Sequence, residues 1–129
     1  MSARLALALI MMAAPALAKP GTPGPAYFTG SYDRVGRSGG ANPLLLNDRV
    51  TIAPEGQGVA IAGCSGPVAQ MSFGPAFEVV NLMTGTRAGI AVDCLFHNNG
   101  YNRPILTCRL TDGGAFTLWP LPAGSAACE

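Results

Sequence analysis

Ala88-Gly89-Ile90-Ala91-Val92-Asp93-Cys94-Leu95-Phe96-His97-Asn98-Asn99-Gly100-Tyr101-Asn102-Arg103-Pro104-Ile105-Leu106-Thr107-Cys108-Arg109-Leu110 is the stretch that decides the fold. Val92, Cys94 and Phe96 recur at every second position, as do Leu106, Cys108 and Leu110, so each arm reads as a strand with one apolar face. Between the arms, Asn99-Gly100 supplies two residues tolerant of positive φ, the strongest short-range hairpin signal. Ala88–His97 and Pro104–Leu110 are therefore predicted strands.

The same grammar extends outward. The chain of 129 residues holds 17 Gly and 11 Pro. The longest stretches free of both after the N-terminus, Leu44 to Ala53 and Ile90 to Asn99, are shorter than an average helix of roughly 11–12 residues. Strands fit where helices do not. Phe28–Val35, Arg49–Ala53, Val59–Cys64, Phe77–Leu82 and Ala115–Trp119 complete a set of seven. Turn residues stand at the junctions: Pro54-Glu55-Gly56-Gln57-Gly58, Thr84-Gly85 and Asp112-Gly113. Only Pro43–Asp48 and Pro67–Ser72 read as capable of a helical turn. The expected fold is all-β, a small antiparallel meander of about seven short strands closed into a barrel or folded as a sandwich.

The opening residues belong to a different category. Arg4 precedes the apolar run Leu5 to Ala14, and Ala16-Leu17-Ala18 forms a small-residue cleavage box before Lys19-Pro20, the three regions of a secretory signal peptide. The run is shorter than the roughly 20 residues needed to span a bilayer. The expected organisation is a cleaved signal peptide over 1–18, a Pro/Gly-rich leader over 19–26 and one all-β domain over 27–129, with no transmembrane segment in the mature chain. Export to the periplasm or the extracellular space follows.

Charge narrows the partners. Lys plus Arg number 8 against 7 Asp plus Glu, and Arg4 leaves with the signal peptide, so the mature domain is neutral. Its arginines are scattered and Lys19 is its single lysine. A nucleic-acid partner would need a basic stripe to neutralise phosphates, and the chain has none. An unknown protein or small ligand is the expected partner.

Cys64, Cys94, Cys108 and Cys128 are an even number in an exported chain, which predicts two disulfides. A two-residue Asn99-Gly100 turn places Cys94 opposite Ile105, out of register with Cys108. The pairing favoured on that ground is Cys64 with Cys94 and Cys108 with Cys128. A competing reading uses Cys94-Leu95-Phe96-His97 as a Cys-x-x-His metal or hydrolytic centre, His97 acting with Cys94 or Asp93. Residues three apart on a strand face opposite ways, which counts against it, and no metal or other cofactor is expected.

Catalytic motifs are absent. There is one histidine, no Gly-x-Ser-x-Gly elbow, no Cys-x-x-Cys and no phosphate loop, since Gly36-Arg37-Ser38-Gly39-Gly40 lacks the Walker spacing. Asp33, Asp48, Glu55, Glu78, Asp93 and Asp112 mostly stand at turns or strand ends, where solvated charge accounts for them. Arg34 and Arg37 beside the Gly-rich loop read as solvated arginines, and Trp119 as a core plug ending the last strand.

The segment His97 to Arg103 stands apart. A tight turn explains Asn99-Gly100, but not the run Tyr101-Asn102-Arg103 that follows at once. Tyr and Arg are enriched at recognition hot spots, and loops on a rigid scaffold carry binding groups. His97, Asn98, Asn99, Tyr101, Asn102 and Arg103 are thus the candidate binding residues of a non-catalytic binding or inhibitor-type module. A structural envelope component is the remaining alternative. In being signal-bearing, disulfide-linked and all-β, the outline is similar to small exported bacterial β-domains, among them inhibitors of host lysozymes, a likeness of architecture alone.

Overall fold

The computed structural model describes residues 24–72, 82–101, 103–126 and 128. The strands are β1 (Gly30–Arg37), β2 (Leu45–Glu55), β3 (Gly58–Gly63), β4 (Gly66–Ser72), β5 (Leu82–Arg87), β6 (Ile90–Asn98), β7 (Pro104–Leu110) and β8 (Ala115–Pro120). Each pairs antiparallel with the next, and β8 returns to pair with β1 as Tyr32 opposite Pro120 through Arg37 opposite Ala115. The sheet is a closed barrel rather than a sandwich. Closure gives every strand a neighbour on both sides, in place of the two free edges of an open sheet.

Alternation fills the inside. Tyr32 on β1, Val50 and Ile52 on β2, Val59 and Ile61 on β3, Val92 on β6, Leu106 on β7 and Leu118 on β8 are all inward and buried. A 3₁₀ turn, Pro25–Phe28, closes the end of the barrel where β1 begins. Phe28 is fully buried there, its ring edge-on to Phe96 at 4.8 Å. The Tyr32 phenol donates to the Phe28 carbonyl at 2.7 Å and ties this plug to the wall.

Tyr32→Phe removes this hydrogen bond from the buried plug, for an expected loss of about 1 kcal/mol. The pH dependence carries a second signature. Burial raises the Tyr32 phenol above its ordinary value of 10.0, with the nearby Arg103 cation pulling the other way. The folded chain therefore keeps a proton that the unfolded chain releases near 10. Tyr32 contributes its full stability below that pH and loses it progressively as the pH rises toward the folded value. Urea melts of wild type and Tyr32→Phe should converge as pH rises above about 10, and a gap that stays constant would refute the assignment.

Several sequence expectations are corrected by pairing. The described residues form eight strands, in keeping with the expected antiparallel meander of about seven, but the bounds of several shift. Phe28 lies in the 3₁₀ turn, so the first strand is Gly30–Arg37 instead of Phe28–Val35. Pro43–Asp48 supplies the start of β2 and not a helical turn. Leu44, Leu45 and Leu46 form a run with no period of its own. Pairing Leu46 with Gly36 decides that Leu46 packs inward while Leu45 is 91% exposed. Pro67–Ser72 likewise belongs to β4. Ile61 faces Ala69 and Ala62 faces Pro67, so Val68 is an extra, bulged residue, and Val68 and Ala69 are both buried. The bulge breaks the alternation that would have revealed the strand.

Thr84-Gly85 is not a turn but the middle of β5. Gly85 is there because a Cβ would overlap the Gln70 carbonyl and stand 2.7 Å from Met71 Sδ. The turn falls instead at Ala88-Gly89, with φ of 47° and 81°, and β6 starts at Ile90. Of the expected Phe77–Leu82 strand, only Leu82 falls within the described residues. The expected signal peptide and most of the expected leader also lie outside them.

The disulfide pairing is corrected as well: Cys94 joins Cys108 and Cys64 joins Cys128. The loop between β6 and β7 runs from Asn99 to Arg103 and sets Asn98 opposite Pro104. That longer loop shifts the register so that Cys94 faces Cys108 directly, inside the barrel and fully buried. The second bridge fastens the C-terminal tail. Past Pro120 the chain crosses the outer wall, Leu121 N–H donating to Ser31 O at 2.9 Å and Arg49 Nη1 to Ala126 O at 2.9 Å, before Cys128 reaches Cys64.

Two further readings are overturned. Arg34 is not solvated: it is 6% exposed, forks onto both Asp48 carboxylate oxygens at 2.7 Å, and lies 5.5 Å over the Phe116 ring. Its position in phase with Tyr32 on β1 turns it into the barrel. Trp119 is 52% exposed and is no core plug, because Phe116 and Leu118 take the inward positions of β8.

Candidate functional site

The β6–β7 hairpin extends at the plugged end of the barrel, and its tip holds the residues singled out from the sequence. Their roles differ. Asn98 Oδ1 accepts from Gly100 N–H at 2.8 Å, and its Nδ2 donates to the Tyr27 phenol at 2.9 Å. Asn99 Oδ1 accepts from Tyr101 N–H at 2.8 Å and Arg103 N–H at 3.2 Å, while its own N–H donates to Arg103 O at 2.7 Å. The two asparagines thus build the loop, using short side chains to satisfy backbone groups that no ladder reaches. Asn102 lies outside the described residues.

Tyr101 and Arg103 point to different surroundings. Tyr101 is 87% exposed at the loop tip, and His97 is exposed on the outer wall of β6. Arg103 turns back under the hairpin, its guanidinium carbon 5.9 Å from the centre of the Tyr32 ring. Arg103 Nη2 is buried and has no hydrogen-bond partner among the described residues. The ion pairs among those residues are Arg34–Asp48 and Arg49–Asp33, so none compensates Arg103. Gly30 makes its approach possible: a Cβ there would stand 2.7 Å from Nη2, and the φ of +143° is one that L side chains rarely adopt.

Arg103 lines a cavity of about 230 Å³ with Thr29, Gly30, Ser31, Pro122, Ala123, Gly124 and Ser125. Its two remaining walls come from the start of β1 and from the tail. Ser31 Oγ donates to Ser125 O at 3.2 Å, Ser125 Oγ to Pro122 O at 2.7 Å, and Thr29 Oγ1 to Pro25 O at 3.3 Å. Sequence reading missed every one of these wall residues except Arg103. Ser31 and Ser125 are 94 positions apart, and no local pattern links them.

The thiolate chemistry raised by Cys94-Leu95-Phe96-His97 fails on geometry. Cys94 is in a disulfide facing the interior, whereas Asp93 and His97 are exposed on the outer wall. Among the described residues no three His, Cys, Asp or Glu side chains converge, and no helix is long and apolar enough to cross a membrane. Comparison with protein-family models, curated proteins and solved structures finds no match to this chain.

Proposed function

We propose that this domain is an exported, non-catalytic binding module that engages a protein partner through the tip of the β6–β7 hairpin. The observation that carries the reading is Tyr101, an aromatic side chain 87% exposed on a loop whose backbone is held by Asn98 and Asn99. A large ring displayed on a pre-ordered loop gives contact area at low entropic cost, the property that makes tyrosine a recurrent anchor in binding loops. Exposed His97, on the outer wall of the same hairpin, extends the surface. The disulfides support export, since such bridges persist in oxidising compartments, and the signal-peptide pattern of residues 1–18 agrees.

Tyr101→Ala tests this. Its effect on stability should stay within about 0.5 kcal/mol, the usual range for an exposed position. Binding of the partner captured by the immobilised wild-type protein from envelope extracts should fall at least about 30-fold, the size of a hot-spot loss. Capture of an unchanged set of partners by Tyr101→Ala and His97→Ala would remove the tip from the binding surface.

A further inference from the structure

The cavity beside the hairpin carries a second assignment, resting on different atoms from the exposed tip. We propose that it binds the C-terminal end of a peptide, Arg103 receiving the terminal carboxylate and the hydroxyl oxygens of Thr29, Ser31 and Ser125 receiving N–H groups. The charge argument comes first. Among the described residues Arg103 is the one cationic side chain in the wall, and no carboxylate among them neutralises it. Its guanidinium carries a permanent positive charge, which complements a carboxylate. A single positive charge suits a monoanion better than a phosphate dianion.

The hydroxyls then select what accompanies the carboxylate. Each has committed its proton: Thr29 to Pro25 O, Ser31 to Ser125 O, and Ser125 to Pro122 O. What they have left to offer is lone pairs. A ligand that meets a guanidinium at one point and acceptors around it is an anion with N–H donors attached, as at a peptide terminus, where the last amide adjoins the carboxylate. The volume, about 230 Å³, is below the ~300–1,000 Å³ of sites that enclose a whole small molecule, and fits a chain end whose remainder lies outside. Nη2 sits behind Gly30 with almost no accessible surface, so the ligand engages the rest of the guanidinium.

The test uses the full oxidised protein and three probes: N-acetyl-dialanine as the free acid, the same peptide as its amide, and acetate. Calorimetry gives affinities, and amide chemical-shift changes locate the site. The acid is expected to bind at least tenfold more tightly than either the amide or acetate, moving the Gly30, Ser31 and Gly124 resonances. Arg103→Gln should abolish the preference of acid over amide. Equal binding of acid and amide, no saturation by the acid, or an acid preference that survives in Arg103→Gln would overturn the proposal. Acetate binding as tightly as the peptide would overturn the chain-end assignment. The acid–amide comparison needs no variant, so it stands even if Arg103→Gln folds poorly. Tyr101→Ala should leave these affinities unchanged, which separates failure of this site from failure of the hairpin-tip surface.

Discussion

Replacing Cys64 and Cys128 together by alanine is expected to destabilise the domain by about 4 kcal/mol, and replacing Cys94 and Cys108 by about 3 kcal/mol plus a packing loss. The bridges span 64 and 14 residues respectively, and the longer loop costs the unfolded chain more freedom. Burial narrows the difference. Cys94 and Cys108 are both fully buried among Val92, Phe96 and Leu106, so their removal also empties core volume, worth on the order of 1 kcal/mol. Against a typical total of about 5–15 kcal/mol, either change brings the domain close to unfolding. Urea unfolding of each double variant measures the loss. An effect under about 1 kcal/mol for both would contradict the account, being far below the loop-closure value.

The bridges should also differ in how they open. Cys64 and Cys128 are exposed, whereas a thiolate can reach the Cys94–Cys108 bridge only when the barrel opens. Mild reduction of the folded protein followed by alkylation is expected to label Cys64 and Cys128 alone. Label on Cys94 under native conditions, or a Cys64–Cys94 peptide from the oxidised protein, would refute the arrangement. Opening Cys64–Cys128 also frees the tail that forms the wall of the Arg103 cavity at Pro122–Ser125. Reduction should therefore weaken binding of the acetylated dipeptide acid before it unfolds the barrel.

Asp48→Ala is expected to cost about 3 kcal/mol, the lower end of the range for breaking a buried ion pair. The lower end applies because the Asp48 side chain is 43% exposed and water already screens it in part, while the Arg34 side chain is 7% exposed. Removing Asp48 leaves a buried guanidinium whose Nη1 already has no hydrogen-bond partner among the described residues. The double change Arg34→Met with Asp48→Leu should recover most of the loss, since two apolar chains of similar volume need no pairing. Thermal unfolding of the single and double variants decides. A double variant no more stable than Asp48→Ala would mean that the pair itself stabilises the barrel.

Much of the architecture was legible in the residues because period two is a local property. Val50 and Ile52, Val59 and Ile61, Val92, Cys94 and Phe96 each announce an inward face without reference to any other strand. Elements were misread where local signals compete. Leu44-Leu45-Leu46 has no period, the Val68 bulge breaks one, and Gly85 resembles a turn residue although it answers to the Gln70 carbonyl of the neighbouring strand. The candidate site divides in the same way. Asn98 and Asn99 act within their own loop, and Tyr101 at the tip was recognisable there, while the inward turn of Arg103 depends on Gly30 and Tyr32 from a distant strand.

The sequence by itself determined that this is an all-β domain of short strands with two disulfides, because Gly and Pro exclude long helices and alternation needs only neighbours. Tertiary structure alone decided closure into a barrel, the eight-strand register, the pairing of the cysteines and the cavity around Arg103. Each depends on how far one segment slides past another. A loop from Asn99 to Arg103, in place of a two-residue turn, was enough to bring Cys94 opposite Cys108 and aim a guanidinium at a tail from the far end of the chain.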